Sequence, residues 1–326
     1  MKIVLDVTRL VAEGKLTRAE AERLAALASR DTGALAINAL LSFGAIAVVA
    51  GVLALVPSFT TGGVLGTGLV ALGLVLQRRH AARWGLLGTA SVIVGALLLA
   101  GGIVGWLDFR VAGFLIAAAL LLALALIARN GLLMAVASVA LASALGSTTG
   151  YEHAAYCLAI YEPTITLVIF AVLAAAAYLA AQRLAPPYEG LALIFARISL
   201  VIVNFALWIG SLWGDYPGET WMFDRGSYSG AAWEARRAWE ATAFHIPEIA
   251  FTLAWAAIIV AVGAWASRAN RRWVVNTAAT FGAIHFYTQW FERLGAEPVA
   301  IIMAGLTVVA VAVALWRYNN ARPQPA

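Results

Sequence analysis

Four side chains in one apolar stretch, Arg197, Asn204, Trp208 and Ser211, stand seven, four and three residues apart. On a helix they share one face, which continues to Asp215. Polar groups are costly inside a bilayer, so such a stripe marks either chemistry or specific packing. Two readings fit it. In one, Arg197, seven residues past Gly190 and so about 10 Å along the helix, snorkels to the headgroups while Asn204 bonds a neighbouring helix. In the other, the stripe lines a substrate cavity.

A second face gathers His285, Gln289 and Glu292 at spacings of four and three, the pattern of a proton relay or a metal-binding face. His153 beside Glu152, and His245 three residues before Glu248, add imidazole and carboxylate groups that suit zinc or another divalent ion. The spacing is scattered and no His-Glu-x-x-His motif occurs, so any metal stays unknown and no cofactor is implied. Nucleophile-elbow and phosphate-loop signatures are also missing, and no catalytic residue is assigned. Cys157 is the sole cysteine, which excludes an intramolecular disulfide and a cysteine-rich metal site.

The third set lies in "GDYPGETWMFDRGSYSGAAWEARRAWEATAFHIPE", Gly214 to Glu248. Asp215, Tyr216, Glu219, Trp221, Asp224 and Tyr228 combine aromatic faces with carboxylates, a surface for a protein partner or a sugar-like ligand. The alternative is anchoring. Pro217-Gly218 calls for a turn, and Ala231–Phe244 reads as a surface helix with an Arg236/Glu240 pair, its Trp233, Trp239 and Phe244 at headgroup level.

The elements that position these groups are membrane spans. The chain is 63% hydrophobic and 12% charged, outside the range of soluble globular domains. A span needs about 20 mostly apolar residues, and the chain offers about ten, near 34–56, 59–77, 84–106, 109–128, 131–147, 164–182, 190–213, 248–267, 274–292 and 298–316. The expected fold is an all-α polytopic bundle. Its parts are a cytosolic helical hairpin (1–31), spans one to seven (34–213), the aromatic extracytoplasmic loop (214–247), spans eight to ten (248–316) and a cytosolic tail (317–326). Within spans, Gly62/Gly66 and Gly101/Gly105 have small-xxx-small spacing that lets helices approach closely.

Basic residues of short connections sort to the cytoplasm. With the N-terminus inside, sixteen of the twenty-two Lys and Arg fall inside and five outside, with Arg197 within a span. The basic balance thus reflects topology, and no nucleic-acid partner is implied. Eleven acids fall outside.

The chain opens on "LVAEGKLTRAEAERLAALAS". Gly14 suits a left-handed helix cap, Thr17 and Glu20 form a capping box, and Leu16 is placed to staple onto Ala21. Leu5, Leu10 and Val11 line the first helix. The result is two short helices, each too short to be stable alone, so the stripe Leu24, Leu27, Ala28 needs another surface. That surface is the protein's own cytoplasmic face, lipid headgroups, or another protein.

This opening, followed by "NALLSFGAIAVVAGVLALVPS" and ending in "FYTQWFERLGAEPVAIIMAGLTVVAVAVALWRYN", resembles the bacterial polytopic membrane proteins of the family called domain of unknown function 2157. The resemblance covers the two ends. It implies a bacterial inner-membrane protein with both termini cytoplasmic and supplies no activity. The expected function is non-enzymatic: an accessory, scaffold or regulatory component of an envelope complex, touching membrane lipids and a protein partner through the hairpin or the outer loop. The alternatives are a transporter of a small metabolite or lipid-like substrate and, ranked last, a membrane enzyme using Asp215, Glu219 or His245 on a lipid-linked substrate.

Overall fold

The computed structural model describes residues 10–11, 13–152, 155–223, 230–294 and 297–320. It contains two compact units, Met1–Ala137 and Ser138–Ala326. Apart from one β-hairpin the described elements are helices. Eight of them are long and apolar enough to cross a membrane by length and composition.

The first unit opens with α1 (Arg18–Leu55), which is a single helix of 38 residues. The capping box forms in both directions: the Glu20 amide donates to Thr17 Oγ1 at 3.3 Å and the Thr17 amide to Glu20 Oε2 at 2.9 Å. Gly14 takes the left-handed conformation, φ 69°. The expected short second helix, however, does not stop before the first span. The sequence between Arg18 and Ile37 holds no proline and only one glycine, so nothing breaks the hydrogen-bond ladder and the two segments fuse into roughly 57 Å of helix. Leu5 and the side chains of Leu24, Leu27 and Ala28 lie outside the described residues.

Helices α2 (Phe59–Arg79) and α3 (Ala81–Trp106) pack along a glycine seam. A methyl at Gly73 would sit 2.6 Å from the Gly88 carbonyl oxygen, and one at Gly95 2.7 Å from that of Gly66. These glycines recur every seven residues, 66 and 73 facing 95 and 88, with 102 against Phe59 and Gly63, the period of a left-handed seam. Of the expected small-residue pairs, Gly66 belongs to this seam and Gly105 is covered by the Phe59 ring. Gly62 makes ordinary contact, while Gly101 faces open space.

Near its start α3 leaves helical geometry at Trp84 (φ −123°, ψ 20°). There the buried Asn38 of α1 reaches across. Its Nδ2 donates to the Arg83 carbonyl at 2.8 Å and its Oδ1 accepts from the Leu87 amide at 3.3 Å. Arg83 and Leu87 are four apart, so one amide side chain joins the two ends of a single helical rung, a recognised cause of kinks. The unit ends with α4 (Val111–Ala128), packed on α3. The next helix, α5 (Gly131–Ala144), belongs partly to each unit. Its 14 residues reach only about 21 Å, short of a hydrocarbon core about 30 Å thick, so the expected fifth span is a shorter apolar helix.

The second unit continues with an unforeseen antiparallel hairpin, β1 (Ser147–Glu152) and β2 (Ala155–Ile160), in register Ser147↔Ile160 to Glu152↔Ala155. Then come α6 (Pro163–Ala181), α7 (Pro186–Trp213), the single turn α8 (Glu219–Met222), α9 (Gly230–Glu240), α10 (Glu248–Arg268), α11 (Arg272–Leu294) and α12 (Pro298–Asn320). Phe170, Leu207, Phe251, Trp255 and Phe281 form its core, contributed by α6, α7, α10 and α11. The expected ninth span, α11, is 23 residues long but falls outside the eight because it carries polar groups along its length. It nevertheless runs parallel to α7, touching it from Arg197–Trp273 to Trp208–Thr288.

The seam yields a paired prediction. Gly95→Ala should destabilise the protein by about 1–3 kcal/mol through overpacking against backbone, whereas Gly101→Ala should stay within about 0.5 kcal/mol. Unfolding in mixed micelles with increasing denaturing detergent checks both, and equal effects would overturn the seam assignment.

Candidate functional site

The polar stripe of α7 is committed to neighbouring helices. Asn204 Nδ2 donates to the Leu200 carbonyl at 2.8 Å, and its Oδ1 accepts from Trp255 Nε1 on α10 at 3.0 Å. Trp208 Nε1 donates to Thr288 Oγ1 on α11 at 3.0 Å, and Ser211 Oγ to the Trp208 carbonyl at 2.7 Å. Arg197 is exposed and places its guanidinium 5.4 Å from the centre of the Trp273 ring, a cation–π contact. Each interior polar atom of this set therefore meets a protein partner across or along a helix, as lipid surroundings require.

The His285 face is also drawn into packing. The His285 ring meets Trp255 edge-on, centroids 4.8 Å apart, so Asn204, Trp255 and His285 form one chain of contacts through the core. Glu292 is exposed. Gln289 Nε2 and the neighbouring Trp290 Nε1 are buried with no hydrogen-bond partner among the described residues. Among those residues no three His, Cys, Asp or Glu come together as a metal site. His153 and the side chain of Glu152 lie outside them.

The 214–247 segment is where the structure concentrates charge. Its two ends are tied together: the Asp215 amide donates to the Ile246 carbonyl and the Ile246 amide to the Asp215 carbonyl, both at 2.9 Å. Gly214 makes this closure possible, for its φ is 68° and a Cβ would meet the Ile246 carbonyl oxygen at 2.7 Å and His245 Nε2 at 2.9 Å. Pro217-Gly218 forms the expected turn, with the Glu219 amide bonded to the Tyr216 carbonyl at 3.1 Å and Gly218 at φ 95°, the geometry of a type II turn.

Two buried carboxylates then exchange amides. Glu162, 0% exposed, accepts from the Gly218 amide through Oε2 and from the Thr220 amide through Oε1, both at 2.7 Å. It thereby caps the turn α8 from outside that turn's own sequence. Asp215, 5% exposed, accepts from the Thr164 amide at 2.8 Å. Thr164 stands second in α6, after Pro163, which has no amide hydrogen to offer. Each segment thus supplies the anion that satisfies the other's helix start, where free N–H groups and the helix dipole favour negative charge. Burial pushes the Asp215 carboxyl above the usual aspartate range, opposed by its bonds with Thr164 and raised further by the Glu162 carboxylate.

Around this latch the aromatic residues divide. Tyr216 stacks on His245 at 4.4 Å and lies 6.1 Å from Trp239, which meets Phe223 edge-on at 5.5 Å. Arg236 pairs with Glu219 and, at 2.9 Å, with Glu240, so the expected pair forms and Glu219 is engaged as well. Outward stand Trp221 (49% exposed), Met222, Trp233 (51%) and Phe244 (75%).

The expected surface is corrected in two places. Asp215 is turned inward and is no ligand-facing acid. Trp239 is half-buried against Tyr216 and Phe223. The surface helix ends at Glu240, not Phe244. Asp224 and Tyr228 lie outside the described residues. The residue that sequence reading missed is Glu162, counted only as one of eleven outer acids. Its place directly before Pro163 at the head of an apolar run reads as a helix start, but its side chain makes no cap bond to α6 and serves α8 instead.

The chain matches no protein-family model, no curated protein and no solved structure.

The latch predicts asymmetric substitutions. Glu162→Ala leaves the half-buried Gly218 and Thr220 amides without their acceptor and should cost about 1–3 kcal/mol in total, while Glu162→Gln, with one acceptor oxygen, should fall between it and wild type. Asp215→Asn keeps an acceptor for Thr164 and removes the charge. Because the folded state holds the Asp215 proton more tightly than the unfolded chain, its contribution is fully present below the ordinary aspartate pKa and fades as pH rises through the raised one. Melting curves across mildly acidic to neutral pH should therefore show Asp215→Asn gaining on wild type as pH rises. A constant offset between the two would contradict the buried-carboxylate assignment.

Proposed function

We propose that this chain is a non-enzymatic integral protein of a bacterial inner membrane, working as an accessory, scaffold or regulatory component of an envelope complex. It crosses the bilayer about ten times, the short α5 counted as a crossing that local thinning of the bilayer accommodates, with both termini cytoplasmic and the 214–247 segment outside. The apolar helices support membrane residence. The sorting of arginines between loops supports the orientation, and the resemblance of the chain's ends to domain of unknown function 2157 supports the bacterial setting.

One observation carries the interaction reading: a loop braced from beneath by Glu162 and Asp215 presents Trp221, Met222, Trp233 and Phe244 outward. A partner-binding surface gains from such preorganisation because little ordering entropy is lost on contact, and aromatic residues dominate binding hot spots. The interior polar groups of α7 favour the same reading over transport or catalysis, since they are engaged in helix–helix contacts.

A photo-crosslinking amino acid at Trp233 or Trp221 in cells tests it. The expected result is a discrete protein adduct that Glu162→Ala weakens by loosening the surface, and adducts to lipid alone would sink the reading. The orientation is tested separately with Gly230→Cys in a Cys157→Ser background. An impermeant thiol reagent should label it from outside, and labelling from the cytoplasm would overturn the topology.

A further inference from the structure

Helix α12 covers α11 only along a narrow line. Beside that line runs a lateral groove of about 610 Å³, floored by Trp208 and Thr288 and walled by Thr280, Tyr287, Ala312 and Leu315, within the range of ligand-holding clefts, roughly 300–1,000 Å³. It offers a polar ligand little. The Trp208 indole N–H is given to Thr288, and the Thr280 hydroxyl donates to the Asn276 carbonyl at 2.9 Å. The rest of the lining is predominantly aliphatic, so the fitting occupant is a hydrocarbon chain.

Charge identifies which kind. From Thr288 to Thr280 the groove extends eight residues along α11, and from Val308 to Leu315 seven along α12, or about 11 Å. It therefore holds the upper part of one chain and not its whole length. Its Leu315 end points to basic residues. Arg317 is exposed two residues beyond Leu315, about 3 Å further along the axis. Arg272 begins α11 at the same end, Arg271 precedes it with its guanidinium 5.8 Å from the Tyr178 ring centre, and Arg268 closes α10. No Asp or Glu occurs between Glu248 and Glu292, nor after Glu297. Three consecutive helices thus bring arginines to one end where they place no acidic residue, and exposed Trp316 stands beside Arg317, at the depth where indoles favour headgroups.

We propose that this groove is a binding site for one anionic phospholipid, an acyl chain lying between α11 and α12 and the phosphate at Arg317 with the arginines of the α10–α11 corner. Basic clusters between helix ends on the cytoplasmic side are suited to anionic headgroups. The site is independent of the aromatic loop and survives if the partner reading fails.

The test uses the full chain in detergent micelles containing equal phosphatidylglycerol and phosphatidylcholine of identical acyl chains, read by native mass spectrometry. Wild type should retain one phosphatidylglycerol per chain in preference to phosphatidylcholine. Arg317→Gln should weaken that retention about fivefold, as loss of one basic contact implies. Ala312→Trp, which fills the groove, should abolish it, and Ala283→Leu on the opposite wall serves as a second filling variant. Both are first checked for wild-type melting. Equal retention of the two lipids, insensitivity to Arg317→Gln, retention that survives both filling variants, or a dimer in place of a lipid adduct would each overturn the proposal.

Discussion

Glu162 is wholly enclosed, so its two carboxylate oxygens depend on the protein for hydrogen bonds. The amides of Gly218 and Thr220 provide them, and the path of the described residues on either side follows. To reach those amides the chain must turn at Pro217-Gly218. To bring the turn over α6, Asp215 must leave the end of α7 and take the Thr164 amide. To close the loop, Ile246 must return to Asp215. Of the aromatic residues, Tyr216, Phe223 and Trp239 pack on one another while Trp221, Trp233 and Phe244 stay exposed. One enclosed carboxylate draws these segments together because leaving it unmatched is far costlier than bending a loop.

The same constraint operates within the spans, with neutral groups. Asn38 bonds both ends of a helical rung at Arg83 and Leu87, Asn204 receives Trp255, and Trp208 is held by Thr288. These contacts are sparse, and between them the helices depend on shape: glycine against backbone in the first unit, large aromatic side chains in the second. Lipid provides no apolar driving force for helix association. Polar sutures therefore fix which helices meet, and small or complementary surfaces fix how closely.

What could be read from the sequence was local. The capping box at Thr17 and Glu20, the left-handed Gly14, the turn at Pro217-Gly218 and the pair Arg236/Glu240 each involve residues within four positions, where backbone geometry alone determines the neighbour. Hydrophobic run length located most spans for the same reason. The partners of Asn38, Asn204, Glu162 and Asp215 lie 45 to 58 residues away along the chain, and no periodicity reports them. The hairpin Ser147–Ile160 escaped because its strands are six residues each and merge into the flanking apolar run. α5 escaped because hydrophobicity measures affinity for lipid and not where a helix ends. Asp215 was misread as outward since an acid at a span's end is ordinarily solvated, and only the folded neighbourhood turns it in.

The connection between α2 and α3 leaves the pair almost no slack. A single residue, His80, separates Arg79 from Ala81, and Gly73 and Gly88 on either side already bring backbone close together. With so short a tether, little loop entropy is lost when the second helix meets the first. The glycine seam therefore closes as a local event, outward from the bend, and needs no distant part of the chain to hold its register.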